Sequence, residues 1–205
     1  MFWRNNVMSE LSSSAKDAVL TVLAALLGGE LRAEDLTART IGEHLGKTTG
    51  ALYHHFGSLD GFLHHVAQAG FEKLANEQAA VLGQGGSLAD LAEAFVRFGL
   101  EHRELYGLMF ERQYDWQALR ESGALASDLP GLGMWKDLVH ALEARGSTCA
   151  ETDVRLLYAG LHGLVTLAAT GRANVARIEI SDREMAATLA RQLAARIAPT
   201  SKKET

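Results

Sequence analysis

Residues 36–62 constrain the fold more than any other part of the chain, because their periodicity fits two short helices joined by a tight turn. Ile41 and Leu45 are four residues apart and share one helical face, and Leu52 and Phe56 repeat that spacing in the second helix. These four side chains can form a small core, which leaves small and polar residues on the opposite face. The pattern is typical of a helix-turn-helix whose second helix enters the DNA major groove.

The residues around the turn support the same interpretation. Gly46 ends the first helix, and glycine is the usual residue where a helix closes in a left-handed conformation. Thr37 and Thr48 can cap the two helices, and Leu36 before the first cap fits a hydrophobic staple with Ile41. A helical hairpin in any all-α protein would show similar spacing, so this alternative remains open on spacing alone.

The rest of the chain is also expected to be helical. There are only two prolines among 205 residues, and no alternating apolar pattern predicts a strand. The apolar fraction of 47% and the charged fraction of 22% are those of an ordinary globular protein. We expect an all-α fold with one domain at residues 12–57 and a second at residues 58–198.

Location and redox state follow from what the sequence lacks. No apolar stretch reaches the length of about 20 residues that a membrane helix needs, and the first residues do not resemble a signal peptide. Cys149 is the only cysteine, so an intramolecular disulfide is excluded. These features predict a cytoplasmic protein without membrane contact.

The charge balance is weak evidence against nucleic-acid binding. The formal net charge is −5, and the first 58 residues hold five basic and six acidic side chains. We expect the acids to lie on the far side of the domain, so that Arg39 and Lys47 face phosphate.

The eight histidines do not predict a metal site or a catalytic centre. The pairs 54–55 and 64–65 are adjacent, and neighbours in a helix diverge by about 100°. No cysteine or carboxylate accompanies them at ligand spacing. His102 and His162 fall in apolar helices and are either core histidines or groups that orient a ligand. We predict no catalytic residue, no metal and no cofactor.

A family resemblance sharpens these predictions. The run LTARTIGEHLG, followed by TTGALYHHF, resembles the DNA-binding signature of TetR/AcrR-type transcription regulators. The resemblance implies an all-α fold with an N-terminal three-helix helix-turn-helix domain and a C-terminal helical ligand-binding and dimerisation domain. Many relatives carry lysine where this chain has Leu59, so one phosphate contact of the family is absent. Arg103 likewise stands where a proline is usual.

The resemblance also implies which residues contact DNA: Arg39, Lys47, Thr48, Thr49, Gly50, Ala51, Tyr53, His54 and His55. Glycine and alanine leave little side chain to read bases, so Arg39, Thr49 and His54 are expected to carry most of the base specificity. Tyr53 could instead be a packing residue, and His54 and His55 could be ordinary surface histidines.

An effector pocket is expected in the C-terminal domain. Its predicted lining is rich in aromatic residues and methionine: Phe95, Phe98, His102, Tyr106, Met109, Phe110, Trp116, Trp135, Leu138, Tyr158 and His162. This composition favours a small apolar or aromatic effector, although the same residues could simply form the core. The apolar helices at 151–171 and 182–197 are expected to pair with their copies in a homodimer.

Taken as a whole, the sequence predicts a ligand-responsive regulator that binds double-stranded operator DNA, most simply as a repressor. It is not expected to be an enzyme. The alternatives are a helical small-molecule-binding module without DNA function and an uncharacterised helical enzyme.

Overall fold

The computed structural model describes residues 11–121, 132–144, 146–174 and 179–197, without the side chains of Thr49, Ala51, Leu52, Tyr53 and Leu132. These residues form α-helices and no strand, as the sequence predicts. The helices are α1 (Ser13–Leu27), α2 (Ala38–Leu45), α3 (Thr49–Phe56), α4 (Leu59–Gly83), α5 (Leu88–Glu101), α6 (Arg103–Tyr106), α7 (Trp116–Glu121), α8 (Leu132–Glu143), α9 (Ala150–Ala169) and α10 (Asp182–Ile197). Within this part of the chain, no helix combines the length and apolarity needed to cross a membrane.

The chain divides into two compact units. The first unit contains residues 1–73 and 102–132, and the second contains residues 74–101 and 133–205. Helix α4 therefore contributes residues to both units. Residues 102–132 belong to the same unit as the N-terminal helices. The boundaries of the two units therefore differ from the domain boundary after residue 57 that is expected from the sequence.

Helices α1, α2 and α3 form the beginning of the first unit. The Ser12 hydroxyl caps α1 by accepting a hydrogen bond from the Ala15 amide at 3.3 Å. Helix α1 packs against α2 and α6, and α2 packs against α3. Ile41 and Phe56 are buried, as expected for the core of a helix-turn-helix.

Both ends of α2 have the geometry that the sequence predicts, including the turn that leads into α3. Thr37 caps α2 in a reciprocal box with Thr40, each side chain bonding the other's backbone amide. Gly46 adopts the left-handed conformation with φ 61°, and the Lys47 amide then donates to the Gly42 carbonyl at 2.9 Å. The chain reverses within a few residues because glycine tolerates this conformation.

The first unit also holds an irregular helical segment after residue 101. Helix α5 stops at His102, whose backbone is non-helical (φ −122°, ψ 52°), so the break forms without the usual proline. Gly107–Glu111 then forms a π-helical turn. A Cβ on Gly70 would lie only 2.8 Å from Met109 Sδ, so this segment approaches α4 very closely.

The second unit is organised around α10, which packs against α5 and α9. The residues of α10 that are completely buried are Ala186, Ala190 and Ala194. The larger apolar residues of α10, which recur at every fourth position, are only half-buried: Met185, Leu189, Leu193 and Ile197. Small side chains let the helices approach closely, which is why alanines occupy the tightest contact and the larger residues flank it.

Ion pairs also join α10 to α5 in the second unit. Arg191 contacts both Asp90 and Glu93, and Arg183 contacts Glu101. All of these side chains are substantially exposed, so each pair contributes less than about 1 kcal/mol. Burial of the alanine face therefore dominates the attachment of α10.

Candidate DNA-binding surface and effector site

Helix α3 is held to the first unit by one side and exposes the other. Phe56 is buried at its end, with its ring edge-on to Phe62 at 4.9 Å between centroids. Gly50, His54 and His55 are exposed. A short helix that is anchored along one side leaves its outer face free to enter a groove as wide as the DNA major groove.

The remaining expected DNA-contacting residues divide into two groups. Thr48, just before α3, is exposed. The side chains of Thr49, Ala51 and Tyr53 lie outside the described residues, although their backbone is helical.

The two basic side chains next to α3 are exposed but already have local partners. Arg39 has 86% of its side chain exposed, and its Nε donates to Glu43 Oε1 at 2.8 Å. Lys47 Nζ donates to the Ser14 hydroxyl at 2.9 Å. The expectation that acids lie on the far side is therefore wrong for Glu43, because one helical turn places it beside Arg39.

The eleven expected effector residues are divided between the two units. In the first unit, Tyr106 and Met109 are buried, and the Phe110 ring lies 4.6 Å from that of Tyr106. Trp116 is 38% exposed and lies 5.2 Å from the Tyr114 ring. His102, at the break after α5, is half-buried.

The second unit contains the other six expected effector residues. Phe95 and Phe98 are buried on α5, and Leu138 is half-buried on α8. The Trp135 and Tyr158 rings are 6.5 Å apart, and the His162 ring stacks on Tyr158 at 6.0 Å. Each unit thus has an aromatic cluster of its own.

Sequence reasoning missed a polar pair on the buried face of α4. His64 and Gln68, one helical turn apart, are both buried, with His64 Nε2 and Gln68 Nε2 3.5 Å apart. Burial, followed by the nearby charge of His65, lowers the pKa of His64 to about 4. The available signal was the spacing of two polar residues at i and i+4 within a strongly apolar helix.

Tyr114 is a second residue near this pair that the sequence did not single out. Its ring lies 6.2 Å from that of His64, and its hydroxyl donates to the Leu108 carbonyl at 3.1 Å. Burial raises the pKa of Tyr114, so the phenol stays protonated and acts as a donor. Across the described ranges, no cluster of three or more histidine, cysteine or carboxylate side chains could hold a metal ion.

Comparison with solved structures identifies the fold. The structure of RolR without ligand matches with a TM-score of 0.53 and 20% identity, covering 90% of this chain and 98% of that chain. RolR in complex with resorcinol matches with a TM-score of 0.54 and 19% identity, covering 92% and 98%. The superantigen PfiT matches with a TM-score of 0.52 and 19% identity, covering 87% and 95%.

Sequence comparison identifies the family. No curated protein matches the chain. The family model for the tetracyclin repressor-like C-terminal domain matches residues 88–195, which is more than half of the chain. With a helix-turn-helix preceding this domain, the chain belongs to the TetR family of transcription regulators, which are not enzymes.

Proposed function

We propose that the protein is a homodimeric repressor that binds operator DNA in the cytoplasm and is released by a small apolar or aromatic effector. Residues 12–57 form its DNA-binding domain, and residues 58–198 bind the effector and pair the subunits. The observation that carries this proposal is the exposed outer face of α3 in a family of transcription regulators.

The DNA contacts are assigned by position on the helix-turn-helix. Thr49, Gly50 and Ala51 form the first turn of α3, which approaches the base edges, and His54 follows on the exposed side. Arg39 reaches the groove from α2 and carries base specificity together with Thr49 and His54. The other contacts are with phosphate or groove walls, from residues that flank this turn: Lys47, Thr48, Tyr53 and His55. The pair between Arg39 and Glu43 is compatible with this role, because an exposed ion pair costs at most about 1 kcal/mol to open.

The homodimer is proposed to form through residues 151–171 and 182–197. Helix α9 exposes Leu156 and Leu167 on the same side within the single chain, and Leu156 has 58% of its surface in contact with solvent. Large exposed apolar side chains on one helix favour a protein partner. Leu193 of α10 packs over Gly160 on the same side of α9 and is half-buried, as is Leu189.

The effector is proposed to act by changing the separation of the two α3 helices. Two recognition helices fit successive major grooves only when they lie about 34 Å apart. A ligand that binds more tightly to a different arrangement shifts the equilibrium by its differential affinity. RolR, which has a related fold, was crystallised with resorcinol, and this supports an aromatic effector for the present chain.

One contact offers a route from the effector-binding residues to the helix-turn-helix. The Glu104 carboxylate on α6 accepts a hydrogen bond from the Ala33 amide at 2.7 Å, just before α2. Tyr106, Met109 and Phe110 follow on the same short segment. A ligand that displaces these side chains would thereby move the chain that leads into α2.

A mobility-shift titration tests the proposal. We expect the full-length protein to bind DNA flanking its own gene, and Arg39→Ala and Tyr53→Ala to weaken that binding. Arg97→Ala, which removes an exposed charge from α5, is the matched control and should bind like the unmodified protein. Equal binding by all four proteins would refute the assignment of the DNA-binding surface.

A further inference from the structure

One face of α4 carries an unusual combination of buried residues. His64, Gln68 and Phe71 are spaced at i, i+4 and i+7 and therefore lie on the same side of the helix. His64 is 0% exposed and Gln68 is 2% exposed. Histidine and glutamine seldom occupy such positions without full hydrogen bonding.

Aromatic rings surround this face within the first unit. The Phe110 ring lies 5.1 Å from Phe71. The Tyr114 and Trp116 rings lie 6.2 Å and 6.1 Å from His64, both nearly perpendicular to it. Phe110 belongs to the π-helical turn, a distortion that is frequent at functional sites.

Two polar atoms inside this aromatic cluster lack hydrogen-bond partners. Gln68 Nε2 and His64 Nε2 are 3.5 Å apart, which is a long hydrogen bond. His64 Nδ1 and Gln68 Oε1 have no partner among the described residues. Burying such atoms unpaired is unfavourable, so a group that pairs with both would be bound selectively.

The hydrogen-bonding capacity of the pair is fixed whichever way the amide is oriented. If the Gln68 amide donates to His64 Nε2, the histidine proton is on Nδ1, which leaves one donor and the Gln68 oxygen as one acceptor. If the amide is flipped, His64 Nδ1 becomes the acceptor and the Gln68 nitrogen becomes the donor. In both cases the pair offers at least one donor and one acceptor, which is the complement of a hydroxyl group.

The charges near the pair favour an uncharged ligand. The pKa of His64 is lowered to about 4 by burial, so its ring is neutral near pH 7. Arg112, whose guanidinium lies 5.7 Å from the Tyr114 ring centre, pairs with Asp60 through Nη2 at 2.8 Å, which offsets its charge, while its buried Nε has no partner among the described residues. A buried carboxylate ligand would need a cation of its own to offset the loss of hydration.

We propose that His64 and Gln68 form the polar end of the effector site, which binds a neutral molecule with an aromatic body and a hydroxyl group. Phe71, Phe110, Tyr114 and Trp116 surround the aromatic body. Trp116, which is 38% exposed and lies 6.1 Å from the His64 ring, is the member of this lining that contacts solvent. The regulatory role of this site rests on the proposed function, whereas its binding chemistry is independent of that function.

Calorimetric titration of the full-length protein tests this site with three probes of matched shape: 4-propylphenol, propylbenzene and 4-propylbenzoate. We expect the phenol to bind at least about tenfold more tightly than propylbenzene, since two buried hydrogen bonds are gained. The benzoate should bind more weakly than the phenol. The proposal is overturned if the phenol does not bind, if it binds no better than propylbenzene, or if the benzoate binds best.

Two substitutions locate the effect. His64→Phe and Gln68→Met keep the approximate shape and remove the polar atoms, so each should reduce the preference for phenol over propylbenzene to about threefold or less. His65→Phe is the matched control, because His65 Nδ1 already contacts the Gly61 carbonyl at 2.8 Å, and it should retain the preference. Should one variant fail to fold, by circular dichroism, the other decides. A preference that survives in a folded variant contradicts the assignment.

Failure of this site can be distinguished from failure of the regulatory function. Phenol binding that depends on His64 but leaves DNA binding unchanged would support the site and reject its role as the effector site. Operator binding by a protein that ignores 4-propylphenol would support the regulator and reject this site.

Discussion

Two histidine pairs on consecutive helices have opposite environments. His54 and His55 at the end of α3 are exposed, with ring centroids 5.3 Å apart. His64 and His65 on α4 have ring centroids 6.2 Å apart, but His64 is completely buried and His65 is half-buried. The same dipeptide therefore serves different chemistry, because helix packing decides which rings remain in contact with water.

The difference arises from how the two helices are anchored. Helix α3 is short and has Phe56 buried at its end, whereas the part of α4 in the first unit has a nearly continuous run of buried residues from Gly61 to Phe71. Substitutions at the first pair should therefore change DNA binding with little effect on stability. Substitutions at His64 should change stability and ligand binding instead.

The largest expected effect is the pH dependence of folding stability that results from the burial of His64. His64 has a pKa of about 4 in the folded protein against 6.5 for the free side chain, so the unfolded chain binds a proton that the folded chain does not. The free energy of unfolding should be highest above pH 6.5 and should fall by up to about 3 kcal/mol as pH drops to 4. Urea unfolding at several pH values measures this component.

His64→Phe should remove that pH-dependent component, whereas His54→Phe should retain it. An equally steep fall in stability between pH 6.5 and 4 for wild type and His64→Phe would show that His64 is not the group responsible.

The second largest effect is a loss of operator affinity when the exposed histidines of α3 are replaced. Replacing His54 with alanine should weaken operator binding by about 1–3 kcal/mol, or roughly fivefold to 150-fold, because its ring is assigned to a base, and replacing His55, assigned to phosphate or the groove wall, should weaken it less. The free energy of unfolding should change by less than about 0.5 kcal/mol, because both side chains are exposed. Fluorescence anisotropy with labelled DNA measures the first quantity and urea unfolding the second.

His64→Phe is the control for that experiment and should bind operator DNA as the wild type does in the absence of ligand. A loss of affinity in His64→Phe that matched the loss in His54→Ala would remove the distinction between the two pairs.

The contrast between the two pairs also shows what the sequence can predict. Helical periodicity, the cap at Thr37 and the left-handed Gly46 depend on neighbours in the chain, and the structure agrees with each. The pairing of Arg39 with Glu43 is also local, since the two residues are one helical turn apart. Both side chains are exposed and long, however, so each could pair with more than one neighbour. Such a surface pair is poorly specified by spacing.

Contacts between distant residues were harder to predict. The burial of His64 depends on Tyr114 and Trp116, which are about 50 residues away in the chain and belong to an irregular segment. Likewise, the spacing of the larger apolar residues of α10 predicts pairing with a second copy, but it does not predict that Ala186, Ala190 and Ala194 are the residues buried within the chain, where α10 packs against α5 and α9. Tertiary packing, which periodicity does not encode, decided both outcomes.

A smaller effect concerns salt dependence. Lys47→Ala should reduce the slope of log K against log salt concentration by about 1, because one phosphate contact is lost. Its present hydrogen bond to Ser14 is exposed and is easily exchanged for phosphate. Anisotropy titrations between 50 and 200 mM salt provide the slope, and an unchanged slope would remove Lys47 from the interface.

The smallest expected effect is an increase in affinity. Glu43→Gln removes the carboxylate beside Arg39, and operator binding should strengthen by up to about fivefold, the limit for an exposed ion pair. Glu151→Gln is the control, since it disrupts an equivalent pair with Arg155 on α9. Equal binding by both variants would indicate that Arg39 does not contact the DNA.

Hydroxyl-radical footprinting on DNA flanking the protein's own gene tests the central claim most directly. If the exposed face of α3 enters the major groove in a dimer, two protected segments should appear about 10 base pairs apart, and both should vanish in the His54→Ala, His55→Ala double variant. A footprint that is absent, or one that is unchanged in the double variant, would contradict the claim.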